Sequence, residues 1–450
     1  MEGKEATSKL HLIWLQKLCK VWRFVKYGHP FMFRPEPPIN WDAALVMTLP
    51  KVAAAAALAE ETIEKDQGSR DLNEVEKEFL LAVNEMLATL NDATTHGPPL
   101  ALPQPRGSTV NSNEDPIFTF TLIEGALVVD LTNYDAFGGD VDEFCEALQG
   151  HLMQLDAAVD LDTPGGVSSI IFDIRRLRGK PNRKAMRNFL DDDTLASSLV
   201  PSAIIGPSTR TVEHQGYAYS GPSPYSCYFV TKGSQPIHPA LGIGVKWTEE
   251  IDQRRRKRKI AFIVNKATLG IPDAAVALLD SGDAIFIGEG VATLPDTSLL
   301  SSGLAKSIEV LPGFYARVRC GELVLPRKGV LHEIPMDWVA PSTDEDDHKG
   351  VPLHADHPIF KKAIEMLRTP FTALHNAGQQ QHPHSLVPVI HLEKPYPQMS
   401  FPSLEYRLLA VFRMYSVVKF FFAYKDLMDL PWKESFPLFA TKMMEVKDSK

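Results

Sequence analysis

Residues 259–290 read KIAFIVNKATLGIPDAAVALLDSGDAIFIGEG, and the order of patterns in this stretch indicates the fold class. Residues 260–264 and 284–287 are apolar runs that predict two buried strands. Between them, residues 272–279 predict a helix, because Pro272 fits a first helical turn and Asp273 complements the positive end of the helix. The stretch therefore predicts an α/β unit in which a tight turn delivers the chain onto a helix N-terminus, where backbone amides can bind an anionic oxygen.

Further strands are predicted upstream of this unit. Residues 117–123 alternate apolar and polar side chains, residues 126–131 are apolar, and Glu124-Gly125 between them predicts a hairpin turn. Residues 140–155 have helical periodicity, and VSSIIFDI at 167–174 predicts a buried strand. Residues 200–258 are rich in Ser, Pro, Gly and Tyr, which favours a surface excursion over core. We expect an α/β core over residues 115–342, with residues 200–258 as the excursion.

The first hundred residues have the period of helices instead. Apolar stripes predict helices over residues 10–27, 41–58 and 73–90, the last beginning at a capping box. A connector rich in proline and glycine follows from residue 96. These patterns predict an N-terminal helical domain over residues 8–97.

The end of the chain repeats its beginning. VWRFVKY at 21–27 matches MYSVVKF at 414–420 in residue type, and Trp41 matches Trp432 with the register kept to within two residues. Residues 403–450 are thus predicted to be a partial repeat of the helical domain, after a closing helix at 355–370 and a linker at 371–402 that contains His382-Pro383-His384. A partial unit cannot bury its apolar face on its own. Either these helices pack back on the first unit, or a second unit completes them.

Composition limits the function classes. The net charge of -9 and the pI near 5.9 argue against a nucleic-acid surface. The four cysteines lack Cys-x-x-Cys spacing, and the His-Pro-His run lacks acidic or thiol neighbours, so neither a disulfide framework, a metal site nor any other cofactor is predicted. Residues 254–259 are basic and are interpreted as a solvated lead-in to the next strand. The first residues show no export signal or membrane span, which favours the cytoplasm.

Several segments, in their order along the chain, resemble the tail-specific protease family of carboxyl-terminal processing serine peptidases. Residues 88–94 (ATLNDAT) resemble its Leu-x-Asp-x-His-Thr signature, residues 170–175 (IIFDIR) its Ile-Leu-Asp-Leu-Arg strand, and Gly288-Glu289 its Val-Gly-Glu strand. Residues 329–341 are similar to its Pro-Asp-x-x-Val segment. The spacing leaves no room for a PDZ domain, so the chain resembles the PDZ-less branch that includes the repeats of interphotoreceptor retinoid-binding protein and the tricorn core.

The resemblance implies a crotonase/ClpP-like spiral β-β-α protease core with an N-terminal helical domain and a C-terminal helical tail. It also implies where the catalytic Ser and Lys should stand, and those positions hold Gly270 and Leu294. A serine nucleophile needs a positioned base, and neither group is present. What the resemblance retains is a backbone site for an oxyanion or peptide at Gly179, Gly270 and Ile271.

We therefore expect a catalytically impaired member of the family that binds a peptide or protein C-terminus, and that also has a second protease-like unit as a candidate partner. Nucleic acid and membrane are not expected as partners. One alternative is an active serine-type endopeptidase with an unorthodox site, for which Ser281 and Lys266 are candidates. Another alternative is a carrier of a small apolar ligand, in line with the retinoid-binding relatives.

Overall fold

The structure is a computed structural model. It describes residues 9–35, 39–65, 72–100, 119–131, 147–148, 150–152, 154, 169–175, 199, 203–214, 227–233, 236–237, 258–268, 271–298, 303–341, 353–369, 388–391, 395–396, 398–422 and 424–447.

Seven helices are defined within these ranges: α1 Lys9–Gly28, α2 Trp41–Lys65, α3 Leu72–Ala88, α4 Asp273–Ser281, α5 Pro358–Arg368, α6 Leu404–Phe421 and α7 Trp432–Glu445. The strands are β1 Thr119–Ile123, β2 Ala126–Asp130, β3 Ser169–Asp173, β4 Ile204–Ile205, β5 Ser208–His214, β6 Cys227–Gly233, β7 Pro236–Ile237, β8 Lys259–Asn265, β9 Ala284–Glu289, β10 Thr293–Pro295, β11 Ala305–Leu311, β12 Phe314–Arg319, β13 Gly321–Leu325, β14 Gly329–Leu331, β15 Glu333–Pro335 and β16 Trp338–Ala340. Short 3-10 turns lie at Pro30–Phe33, Asp296–Ser298 and Lys425–Leu427.

A six-stranded sheet in the order β1-β2-β3-β8-β9-β16 confirms the predicted α/β class. β1 is antiparallel to β2, and each of the remaining neighbours is parallel. The hairpin predicted at Glu124-Gly125 is present, and both residues have positive φ, 48° and 80°, as a two-residue turn of this kind requires. Parallel pairing explains why β8 and β9 are continuous apolar runs, since both faces of such a sheet are covered.

Each face of this sheet packs on a different helix. Phe172, Phe262 and Phe286 stack across β3, β8 and β9 with ring centroids 5.2 and 5.3 Å apart, on the face that packs on α4. The alternating residues of the same strands, such as Ile171, Ile263 and Ile285, pack on α5. The period of two along each strand thus places its apolar residues in two separate cores. The described residues of the predicted helix over 140–155 are helical, and Leu148 and Leu152 are buried.

The expectation that residues 200–258 form only a surface excursion is wrong for β5, where Ser208 and Arg210 are buried, whereas its neighbour β6 is a strand with no buried residue. These strands belong to a second sheet in the order β14-β13-β5-β6. Arg210 of β5 is buried because Glu322 of β13 lies opposite it, with Nη2 2.6 Å from Oε2. A strand with alternating polar residues is easily mistaken for a loop when its buried polar residue is paired across the sheet.

The three helices predicted at the N-terminus are present, and their stripes form one core with the β11–β12 hairpin. Asn91 has a φ of 47°, a left-handed conformation that ends the third helical segment. Residues 41–62, in α2, are long and apolar enough to cross a membrane by length and composition, but half of their most apolar window is buried inside the protein. Core helices of globular proteins pass the same test.

The two alternatives for the C-terminal helices are decided by their packing: α6 and α7 lie on α1 and α2 and share their core. α1 contacts α7, and α6 contacts α2, so each helix of one pair packs on the non-matching helix of the other pair. The Trp41 indole donates to the Trp22 carbonyl at 2.9 Å, and the Trp432 indole donates to the Tyr415 carbonyl at 3.0 Å. These four residues match one another in the sequence repeat, so the repeat extends to a specific hydrogen bond.

Candidate functional site

The carboxyl ends of parallel strands meet at one edge of the sheet, which is where ligands of open α/β sheets usually bind. At this edge the guanidinium of Arg175 lies between two carboxylates. Its Nε and Nη2 donate to Asp173 at 3.0 and 2.8 Å, and its Nη1 donates to Glu289 at 3.0 Å. Arg175 is about 1% exposed, so no solvent is available to share these charges.

The electrostatics of this cluster are internally balanced. Burial by itself would lower the pKa of Arg175, but the hydrogen bonds and charges of Asp173 and Glu289 hold that pKa above its ordinary value. The bidentate geometry uses both oxygens of Asp173. The sequence motifs contained all three residues without indicating that they pair, because Glu289 is far from the other two along the chain.

Thr268 holds the turn that follows β8. Its hydroxyl accepts from the Asn265 amide at 2.9 Å and lies 3.2 Å from the Ile174 carbonyl oxygen, to which it can donate. The side chain is fully buried. This contact ties the end of β8 to the end of β3 and sets the direction in which the chain enters α4.

The amide of Ile271, expected to bind an oxyanion, is already engaged. It donates to the carbonyl oxygen of Ser298 at 2.7 Å, and Ile271 is fully buried. A ligand oxygen can therefore reach this amide only if the turn Asp296–Ser298 moves. Gly270 and Gly179, the other two residues expected at this site, lie outside the described residues.

Leu294, at the position expected for the base, is a core residue. It lies in β10, where it pairs with Ile334 of β15, and it is 3% exposed. Ile271 and Ile334 belong to the same apolar core. No proton acceptor is present in the side chain at this position, and an apolar environment would also disfavour a charged replacement.

Close packing requires the glycine at position 288. A Cβ added there would lie 2.0 Å from the Val291 carbonyl oxygen and 2.9 Å from Met336. The chain reverses immediately afterwards at Gly290, whose φ is 65°. The glycine of the Val-Gly-Glu resemblance therefore has a structural reason in this chain, namely the tight return after β9.

His357, which lies near the start of the closing helix predicted over residues 355–370, is a further residue of this edge. Its Nδ1 accepts from the Ile359 amide at 3.3 Å and so caps α5. Burial lowers its pKa, and the nearby positive charge of Arg175 lowers it further. The signal available in the sequence was the His-Pro pair at a helix start, which indicates a cap and not a neighbour of Arg175.

Ser281, the candidate nucleophile of the active-enzyme alternative, lies at the C-terminal end of α4. Its hydroxyl is 2.5 Å from Asp283 Oδ2 and 3.0 Å from the Leu278 carbonyl oxygen. These are the contacts of a residue that closes a turn.

A second buried arginine, Arg319, joins the helical domain to the core. Its Nε and Nη2 donate to Asp92 at 3.1 and 3.0 Å, and Nη2 also donates to the Thr94 hydroxyl at 2.8 Å. Its Nη1 donates to Asp296. The Asp and Thr of the ATLNDAT segment thus bind an arginine at the end of β12, which explains that segment by its role at the domain interface.

The two carboxylates that share Arg319 differ in acidity. Burial would raise the pKa of Asp92, but hydrogen bonds from His29 and Arg319 hold it well below its usual range. Burial, with a smaller contribution from the charge of Asp92, raises the pKa of Asp296 to about 6 against the opposing charge of Arg319. Two carboxylates around one guanidinium are not equivalent, because His29 supports only one of them.

One short turn connects the Arg319 cluster to the Ile271 amide. Asp296 begins the 3-10 turn Asp296–Ser298 and binds Arg319, while Ser298 ends it and accepts from Ile271. The domain interface and the amide beside the expected nucleophile position are therefore linked by three residues of backbone.

Within the ranges that the structure describes, no group of three or more His, Cys, Asp or Glu side chains is arranged to hold a metal ion. A groove of about 350 Å³ lies between α2 and α3, where Leu58 and Leu81 face solvent beside Lys51 and Glu85. None of the residues that line the groove belongs to the sheet edge.

No protein-family model, curated protein or solved structure matches the chain.

Proposed function

We propose that this protein is a catalytically impaired member of the tail-specific protease family, with a crotonase/ClpP-like core, that binds a peptide or protein C-terminus without cleaving it. The observation that carries the proposal is Leu294. At the position where the family resemblance places the lysine base, the structure has an aliphatic side chain buried among Ile271 and Ile334. Without a base, a serine-type attack on a peptide bond has no proton acceptor.

The binding half of the proposal is supported by the local backbone. The Ile271 amide lies just before α4, where the helix N-terminus favours a carboxylate. Its present partner is a neutral carbonyl oxygen, which a charged carboxylate can replace with a stronger hydrogen bond. Displacement of Ser298 would be the conformational step of binding.

A second candidate function is favoured by the same contact. Because the Ile271 amide is satisfied internally and buried, the core can also serve as an assembly unit that has no peptide ligand. The two functions differ in whether a free carboxylate competes with the Ser298 carbonyl.

The test compares fluorescent peptides that have a free C-terminal carboxylate with the same peptides amidated. The proposal expects saturable anisotropy for the free acids, weaker binding of the amides, and no cleavage product by mass spectrometry. Absence of binding by either set would favour the assembly unit. Covalent labelling by a fluorophosphonate probe would establish the active endopeptidase instead, and Ser281→Ala would show whether that residue is labelled.

Carriage of an apolar ligand is tested separately by tryptophan quenching with retinoids. A flat titration removes that alternative.

A further inference from the structure

The connector between α1 and α2, residues 29–40, attaches the first helix pair to the second sheet of the core. Phe31 and Phe33 are 8% and 7% exposed. The ring of Phe31 meets His332 edge-on at 5.1 Å, and that of Phe33 meets His214 at 5.7 Å. Two buried aromatic side chains are the usual anchors of an interface.

A cation completes this attachment. Arg34 lies over the ring of Phe31, with the guanidinium carbon 3.3 Å from the centroid, and its Nη2 is 3.8 Å from Glu322 of β13. Glu322 is buried and also accepts hydrogen bonds from Arg210 and His332. Burial would raise the pKa of Glu322, but these partners lower it to about 2, so the carboxylate is charged where Arg34 approaches.

The matching connector of the repeat, residues 422–431, has the same pattern. Phe422, Tyr424 and Lys425 precede Trp432 by the same number of residues as Phe31, Phe33 and Arg34 precede Trp41. The 3-10 turns of the two connectors stand at different positions, since Pro30–Phe33 contains both aromatic residues and Lys425–Leu427 begins just after Tyr424. The likeness of the helix pairs therefore continues into the connector in residue type and in spacing from the tryptophan.

The two connectors differ in what covers them. Phe422 and Tyr424 are 41% and 65% exposed and contact each other edge-on, with ring centroids 6.0 Å apart. Leu427 and Leu430 are 79% and 68% exposed. Phe422 and Tyr424 thus form an exposed apolar contact, and contiguous exposed apolar patches mark interaction surfaces.

We propose that Phe422 and residues 424–430 form a docking surface for the α/β core of a partner protein of the same class as the described residues between 119 and 341. On that core, Phe422, Tyr424 and Lys425 occupy the places that Phe31, Phe33 and Arg34 occupy here. The partner presents an imidazole-lined groove with a buried carboxylate, as His214, His332 and Glu322 do in this chain. An unaltered second copy does not fit, since its own first connector already covers that groove.

The inference stands on the helix repeat and does not depend on peptide binding. Its probe is the full-length variant Phe31→Ser/Phe33→Ser, which weakens the first connector and makes its core groove accessible. Sedimentation velocity is expected to show that this variant self-associates roughly tenfold or more tightly than the wild type. Adding Phe422→Ser/Tyr424→Ser should restore the behaviour of the wild type.

Leu438→Ser is the matched control, because Leu438 is 50% exposed on α7 outside the connector and should leave the association unchanged. Association that is insensitive to Phe422→Ser/Tyr424→Ser would overturn the proposal, as would absence of association in a folded variant. Binding of the wild type to phosphatidylcholine vesicles that is lost in Phe422→Ser/Tyr424→Ser would also overturn it, since the surface would then belong to a membrane.

A graft keeps the proposal testable if the serine variant does not fold. Phe33→Tyr/Arg34→Lys gives the first connector the residues of the second in an otherwise intact chain. If the second connector fits a core of this class, the thermal midpoint of the graft stays close to that of the wild type. A graft as destabilised as Phe31→Ser/Phe33→Ser rejects the fit of the second connector to such a core.

Discussion

Arg175 and Arg319 are both fully buried arginines held by two carboxylates, yet they connect different parts of the molecule. The partners of Arg175 are Asp173 and Glu289, which end two strands of one sheet. The partners of Arg319 are Asp92, which follows the third helix, and Asp296, which precedes β11. The same chemistry therefore closes the edge of a sheet in one place and fastens two domains in the other.

The two clusters differ in how the fold supplies carboxylate partners to the buried arginine. A buried charge needs partners that are held in place by the fold. Around Arg175 the register of β3 and β9 supplies them, whereas around Arg319 they are brought together only when the helical domain docks on the core. We expect the Arg319 cluster to depend on docking and the Arg175 cluster to depend on the sheet.

The largest expected effect is that of Arg319→Ala. The variant leaves Asp92 and Asp296 buried without their cation, so the free energy of unfolding should fall by about 3 to 5 kcal/mol. Urea denaturation should show two transitions, because the helical domain no longer unfolds together with the core. Lys51→Ala, which breaks the exposed pair Lys51–Glu85, is the control and should change stability by less than about 1 kcal/mol. A single cooperative transition in Arg319→Ala would contradict the docking role.

Arg175→Ala should follow, with a loss of about 3 kcal/mol, since Asp173 and Glu289 then lose a shared partner. Unfolding should remain a single transition, because the cluster lies within one sheet. The measurement is the same urea titration followed by both tryptophan fluorescence and far-ultraviolet circular dichroism. Two separated transitions in Arg175→Ala would show that the two arginines do not differ in this respect.

The smallest expected effect is the pH dependence of stability that Asp296, one of the two carboxylates around Arg319, confers. The folded pKa of Asp296 is raised to about 6, so its stabilising contribution is present in full below the unfolded pKa and is lost as the pH rises through 6. Between pH 7 and 5 the wild type should gain about 1 kcal/mol of stability relative to Asp296→Asn. Ionisable groups remote from Arg319 are common to both proteins and cancel in the difference. A difference that does not vary with pH would show that Asp296 is ionised throughout this range.

Much of the fold follows from local pattern. The apolar runs at β3, β8 and β9 and the positive-φ turn at Gly125 were predicted from period and residue type, and the helices differ from their predicted bounds mainly in the longer α2. β5 was missed because its polar residues are matched across a sheet by β13, a partner far along the chain. The helix repeat was visible in the sequence, but the face on which it packs was not.

The candidate site likewise has features that follow from residue identity and features that depend on the tertiary structure. Residue identity was enough to show that positions 270 and 294 lack a nucleophile and a base, because glycine and leucine have no group to supply. Only the tertiary structure decided that the Ile271 amide is taken by Ser298, that Arg175 meets Glu289, and that Arg319 meets Asp296. The identity of a residue gives its chemical group, and the periodicity along the chain gives the face of the element on which it lies. The partner that a buried donor or charge acquires depends on which distant segments the folded core brings within hydrogen-bonding distance.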